Sequence, residues 1–293
     1  MRENLTSAVY AHVFDSLGDM LASAQTGQDA PVKGGNNQLA SMLKGKAAEG
    51  DRWTYGELQD GPTYVRTLTE GWSDAIPRID ALVTLIAPKM ATPLDVRRKL
   101  RRGPAGDDYC IHTARAGKFD KAWTARRRTV ARAPAPIRIL CNTVFNAGVN
   151  AEAFFWKGAC ALALSQALRR SGYRVAVTGV GLLIKPFANV RLDYLARFDA
   201  LNYGEAPDTA RLAGILCSSA TLRHVLFRTA LLAPYRVSGT YGQAPWDDES
   251  VLKGVVESGV FPPRNEERML IPQQIGCERT AGEWLAEVSS KFA

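Results

Sequence analysis

Histidine and cysteine are scarce in this chain. Three histidines (His12, His112, His224) and five cysteines (Cys110, Cys141, Cys160, Cys217, Cys277) stand among 293 residues. The cysteines are odd in number and widely spaced. None has the Cys-x-x-Cys spacing of a zinc knuckle or redox centre, so a disulfide framework and a structural zinc site are both disfavoured. Cys141, Cys160 and Cys217 lie in apolar runs, where cysteine behaves as a small core residue. No apolar run reaches the roughly 18 residues of a bilayer span. The most apolar stretches, Ala159 to Leu168 and Val225 to Ala233, are interrupted or too short. No secretory leader is expected either, because Glu3 offsets Arg2 while Asp15 and Asp19 break the first apolar pattern. These absences predict a cytoplasmic protein with no membrane partner. Nucleotide signatures are lacking too. Gly45-Lys46 is followed by Ala47 rather than Ser or Thr, and Gly179-Val180-Gly181 has no third glycine, so no cofactor is expected.

What the chain has is a concentrated charge. Residues 97 to 138 hold thirteen Lys and Arg against three acids, Asp107, Asp108 and Asp120, whereas the whole chain has a formal charge of +8. That segment therefore exceeds the total, and the rest of the chain is slightly acidic. One cluster is Arg97, Arg98, Lys99, Arg101 and Arg102; a second is Arg126, Arg127 and Arg128, with Arg132 and Arg138 beyond. Tyr109, Phe119 and Trp123 are interleaved, as in single-strand binders that stack bases beside a positive groove. Such a segment predicts a polyanion partner, with DNA or RNA the commonest. An acidic protein surface is the alternative partner. A solvated face, balanced within the chain by Asp247-Asp248-Glu249 or Glu266-Glu267, is the plain reading.

Periodicity predicts three regions: an N-terminal helical region over 1–93 with a flexible loop near 25–50, a basic β-arm over 94–136, and an α/β core over 137–293. Val9, Val13, Phe14, Leu17, Met20 and Leu21 follow a helical period between Leu5 and Ala24. Pro62 opens a second helical region through Tyr64, Leu68 and Trp72, and Ile79, Leu82 and Ile86 mark a further stretch. Within the arm, Leu94 to Arg102 reads as a short helix or turn and Asp108 to Ala114 as a strand. The core opens on Ile137 to Asn142, the best strand candidate. A helix over Ala151 to Arg170, closed by Gly172, and a strand over Tyr173 to Thr178 complete a βαβ unit with parallel strands. Val190 to Phe198 is a third strand whose pattern also permits a helix. A long helix over Thr209 to Leu232 is capped by Asp208, and another by Asp247 or Asp248. Met269 to Ile271 is the last strand, and Thr280 caps the final helix. Alternating β and α predicts an α/β three-layer sandwich around a mainly parallel sheet.

Trp53, Gly71-Trp72, Gly117, Trp156-Lys157-Gly158-Ala159, Gly172-Tyr173-Arg174-Val175, Leu222-Arg223 and Phe227-Arg228 carry a resemblance. On these residues the chain resembles the von Willebrand factor A-like, Rossmann-like fold, with N-terminal helices and the basic arm added. More narrowly, it resembles a family encoded by phages and other bacterial mobile elements, which would place it in a bacterial host cytoplasm. Metal-binding members of the wider fold carry Asp-x-Ser-x-Ser after the first strand. Asn142, Val144 and Asn146 occupy those positions here, so the anionic ligand is missing and no metal is expected. Asn142, Thr143 and Asn146 line a polar pocket in one reading; in the other they form the turn and cap the next helix.

No catalytic residue is expected. Cys110 and His112 would share a face if their segment were a strand, but no orienting group or oxyanion site accompanies them. Gly106-Asp107-Asp108 lacks the partner carboxylates of two-metal chemistry. The leading expectation is a non-enzymatic binding or scaffolding protein that contacts nucleic acid or a nucleoprotein complex through the arm. The competing expectations are a virion or assembly protein that binds another protein, and a divergent metal-dependent hydrolase or nuclease using Asp107, Asp108 and His112.

Overall fold

The computed structural model describes residues 7–29, 61–90, 97–104, 108–129, 135–145, 149–187, 190–221, 225–230, 255, 259, 267–273 and 275–292. Two compact units emerge, one formed by Met1–Met90 with Pro136–Ala293 and the other by Ala91–Ala135.

In the larger unit the elements are β1 (Ser7–Phe14), α1 (Leu17–Asp29), α2 (Gly61–Glu70) and α3 (Ile76–Ile86). The smaller unit supplies β2 (Arg97–Gly103), β3 (Asp108–Tyr109), α4 (Ile111–Arg115) and β4 (Trp123–Thr129). The larger unit resumes with β5 (Ile137–Asn142), α5 (Ala151–Arg170), β6 (Val175–Phe187), β7 (Val190–Leu201) and α6 (Thr209–Leu216). It ends with α7 (Phe227–Ala230), β8 (Arg268–Leu270) and α8 (Glu278–Ser290).

The larger unit is built on a five-stranded sheet of order β1-β7-β6-β5-β8. Strand pairs β1–β7, β5–β6 and β5–β8 are parallel, and the β6–β7 hairpin is antiparallel. Strand, helix and strand at β5-α5-β6 form the expected parallel unit. Asn150 caps α5 by accepting the Glu152 N–H, and a cap at this position leaves the preceding turn to other groups.

Side chains alternate across the sheet. Ile137, Ile139, Val175, Val177 and Phe198 join the large core under the helices, whereas Leu140, Val180, Leu182 and Leu195 form a smaller cluster with Val255. Helix α5 lies at the centre of the first core, and fifteen of its residues are buried. It is therefore buried on most sides rather than amphipathic, with Lys157 and Ser165 among its buried residues. Gly158 is needed there. A Cβ at this position would lie 2.1 Å from the Leu216 carbonyl oxygen, so only glycine lets α5 meet the end of α6. Gly71 closes α2 with φ +91°, and the next residue, Trp72, donates its N–H to the Ala210 carbonyl at 2.8 Å.

Five expectations are corrected. The segment Leu5 to Ala24 is not one helix. Ser7–Phe14 is a strand paired with β7, and the helix begins only at Leu17, where Ser16 Oγ accepts the Asp19 N–H at 3.1 Å. Over Leu94 to Arg102, expected as a short helix or turn, the described residues from Arg97 are a strand, since Arg97–Gly103 pairs with β4. The strand expected over Asp108 to Ala114 ends at Tyr109, and Ile111–Arg115 is helical. The helix expected over Thr209 to Leu232 stops at Leu216. Thr221 Oγ1 donates to the Ile215 carbonyl at 2.7 Å and Ser218 Oγ accepts the Ala220 N–H, which diverts backbone groups from the helical ladder. Thr280 is the third residue of α8 rather than its cap. Its hydroxyl accepts the Cys277 N–H at 3.1 Å, and Cys277 is the cap residue. Of the helix expected after Asp247 or Asp248, Val255 alone is described, and it is helical; of the loop expected near 25–50, residues 25–29 belong to α1 and the rest lie outside the described residues. So do His224 and Trp53.

Candidate nucleic-acid interface

The smaller unit carries the basic clusters on a three-stranded sheet of order β2-β4-β3. Strands β2 and β4 pair antiparallel over their whole length: Arg97 with Thr129, Arg98 with Arg128, Lys99 with Arg127, Leu100 with Arg126, Arg101 with Ala125, and Arg102 with Thr124. Among the described residues strand β3 pairs with Thr124 and Trp123, and residues 97–101 pair with 125–129 as a ribbon of two described strands.

Seven of its ten positions are basic: Arg97, Arg98, Lys99, Arg101, Arg126, Arg127 and Arg128. Two like-charge pairs, Arg98 with Arg128 and Lys99 with Arg127, stand directly opposite each other. Such pairs oppose strand association by about 0.2–1 kcal/mol each. Register and alternation place Arg97, Lys99, Arg101 and Arg127 on one face of the ribbon, and Arg98, Arg126 and Arg128 on the other. Neither face offers the continuous apolar surface that a packed sheet requires.

Among the residues of this unit whose side chains are described, Ala114 and Ala122 are buried. Trp123 packs against Tyr109 with ring centroids 4.8 Å apart and ring planes tilted by 54°. Tyr109, Ile111 and Phe119 are 49%, 50% and 66% exposed, a large fraction for apolar and aromatic side chains. Arg102, Arg115, Lys118 and Lys121 are exposed as well. Arg132 lies outside the described residues.

The structure separates Cys110 and His112. Cys110 precedes α4 and His112 lies within it, and positions i and i+2 of a helix do not face each other. The Thr113 hydroxyl donates to Cys110 Sγ at 3.1 Å, and this bond, aided by the Arg102 charge, lowers the thiol pKa. Asp107 is outside the described residues, and among those described no three His, Cys, Asp or Glu side chains converge as a metal site.

At the carboxyl end of β5, Asn142 and Thr143 are buried in the turn. Asn142 Oδ1 accepts the Val144 N–H at 3.0 Å, and Thr143 Oγ1 donates to the Val180 carbonyl at 3.1 Å. The cap of α5 is supplied by Asn150, and Asn146 lies outside the described residues. Beside this turn the buried Lys157 ammonium sits 4.7 Å from the centre of the Phe145 ring.

Arg138, grouped with the basic segment by sequence, is buried in the larger unit at 5% exposure. Its Nε donates to Glu267 at 2.9 Å, and its Nη1 donates to Thr178 at 2.7 Å and to Asp199 at 3.1 Å. Arg197 completes the network on Asp199 at 3.1 Å, and the Tyr203 hydroxyl donates to Glu267. Desolvation lowers the guanidinium pKa, but the carboxylates outweigh it and the net shift is upward. Sequence reading missed this network. Its only signal was a lone arginine within the apolar run Ile137-Arg138-Ile139-Leu140.

A family model described as a domain of unknown function, DUF7192, matches residues 2–291. The chain belongs to the DUF7192 family. The matched span includes both units, so the basic ribbon is part of the DUF7192 domain. No curated protein and no solved structure matches the chain. No helix among the described residues is long and apolar enough to cross a membrane.

Proposed function

We propose that this DUF7192 protein is a non-enzymatic binding module of phage or mobile-element origin that contacts nucleic acid through residues 97–129. The observation that carries the reading is the ribbon register, which sets Arg98 against Arg128 and Lys99 against Arg127. A segment that keeps repelling pairs side by side loses stability in isolation and regains it when phosphates intervene. The parallel β5-α5-β6 unit supports a von Willebrand A-like core in the larger unit.

Fluorescence anisotropy on labelled DNA and RNA at two salt concentrations tests the reading. Wild type runs beside an Arg126, Arg127, Arg128→Ala variant, with both shown to be folded by circular dichroism. The expected result is salt-sensitive binding that weakens in the variant; no binding at low salt to any nucleic acid refutes it.

A second reading rests on the exposed Tyr109, Ile111 and Phe119, which resemble a protein-docking tip. Under that reading, a virion or assembly partner co-purifies stably through nuclease treatment.

A further inference from the structure

The nucleic-acid reading leaves open which form of nucleic acid is bound, and the distribution of charge over the ribbon bears on that choice. A single strand, or one row of phosphates, lies along one face of a sheet and leaves the other face in solvent. Cations on that second face would then repel one another with no partner. Here both faces are basic, with Arg97, Lys99, Arg101 and Arg127 on one and Arg98, Arg126 and Arg128 on the other. Each face also carries one of the two like-charge cross-strand pairs. By register, then, each face carries three or four cations.

A groove in a duplex has that geometry, because it offers a phosphate wall on either side. The major groove of B-form DNA is about 12 Å wide and about 8.5 Å deep, and admits a two-stranded ribbon. Paired strands lie about 4.8 Å apart, so a ribbon entering edge-first fits the depth and turns its two faces to opposite walls. Five residues of strand extend about 17 Å. At one charge per roughly 1.7 Å of duplex axis, that length offers about ten phosphates to the seven cations. A-form duplex RNA has a major groove too narrow for side-chain access and does not fit.

We infer that residues 97–101 and 125–129 form a groove-inserted ribbon whose ligand is double-stranded DNA, with both faces contacting phosphate. The inference rests on the nucleic-acid reading above and adds the form of the ligand and the mode of entry.

Salt dependence separates the modes. If all seven cations meet duplex phosphates, the slope of log affinity against log salt is about −6. Binding between 50 and 200 mM salt then falls roughly several thousand-fold. A single strand on one face engages three or four cations, which gives a slope of about −2 to −3 and a loss of roughly 20- to 50-fold.

The experiment uses the full chain with a random-sequence 20-base-pair DNA duplex, the matching single strand, and the matching RNA duplex. Two variants remove one like-charge pair from each face: Lys99→Thr with Arg127→Thr, and Arg98→Thr with Arg128→Thr. Threonine suits a strand, and each exchange relieves repulsion, so neither variant is expected to unfold the ribbon. The expected result is tightest binding to the DNA duplex with the steep slope, and a slope shallower by about 2 in each variant. Preference for the single strand or the RNA duplex overturns the inference while leaving the nucleic-acid reading in place. So does loss confined to one variant. Failure to bind all three ligands overturns both. The wild-type slope alone decides the question if a variant does not fold.

Discussion

Replacing Arg138 with leucine perturbs the buried ionic network at its centre. The native site balances two guanidinium groups, Arg138 and Arg197, against two carboxylates, Asp199 and Glu267. Arg138→Leu removes the hydrogen bonds at 2.9, 2.7 and 3.1 Å and leaves the site with an excess negative charge. The Glu267 side chain is only 7% exposed and that of Asp199 18%, so water cannot readily replace the lost cation. Breaking a buried pair from one side costs about 3–5 kcal/mol. In a unit of this size each kcal/mol moves Tm by about 2–4 °C, which predicts a fall of about 6–20 °C. Differential scanning calorimetry measures it, and added salt should recover little, because buried charges are weakly screened. A double variant, Arg138→Leu with Glu267→Leu, removes charge from both sides and should be more stable than the sum of its single variants by about 1–3 kcal/mol. A Tm within 2 °C of wild type for Arg138→Leu, or strict additivity in the double variant, refutes the assigned role; the 2 °C margin is about what 1 kcal/mol produces.

Gly158→Ala places a Cβ 2.1 Å from the Leu216 carbonyl oxygen, and backbone rather than a flexible side chain must yield. The expected loss is about 1–3 kcal/mol by thermal denaturation, and an unchanged Tm would mean that α5 and α6 adjust freely. Iodoacetamide at neutral pH should label Cys110 and Cys277 first, because hydrogen bonds involving Thr113 and Thr280 lower their thiol pKa values. Burial raises Cys160 and Cys217, which should react only on unfolding, and Thr113→Val should slow Cys110; peptide mass spectrometry reads each site. Burial lowers the His12 pKa below its ordinary value of 6.5, so the unfolded chain binds the proton more readily. Stability should therefore fall as pH drops through about 6.5 and below, and His12→Gln should flatten that part of the stability profile.

The legible parts of the fold were those whose signals are local. Ile137 to Cys141, the apolar run of α5 and Gly172 lie close together in sequence and specify β5-α5-β6 between them. Strand β1 was not legible, because its partner β7 lies far along the chain and Val9, Val13 and Phe14 fit a helical period equally well. Strand β2 was hidden by its own charge. Arginine and lysine favour helices, and only pairing with β4 makes Arg97–Gly103 a strand. The break after Leu216 depends on Ser218 and Thr221 hydroxyls that a periodicity count treats as neutral. At the candidate site the concentration of charge was visible in sequence, but its division over two faces requires the register. Arg138 was misassigned for a related reason, since Asp199 and Glu267 are separated from it by 61 and 129 residues.

The chain leaves the larger unit at Met90 and returns at Pro136, so Ala91–Ala135 is an insertion within a discontinuous fold. Antiparallel pairing of Arg97 with Thr129 brings positions six residues inside each end of that insertion to neighbouring ladder positions, about 5 Å apart. Once the ribbon forms, the larger unit closes a connection whose effective length excludes everything beyond that pair. Growth or shrinkage of the tip between Gly103 and Trp123 then adds almost nothing to the closure entropy of the host fold. The same architecture makes the ribbon a portable cassette, removable or exchangeable at its paired ends while the strand order of the main sheet stays intact.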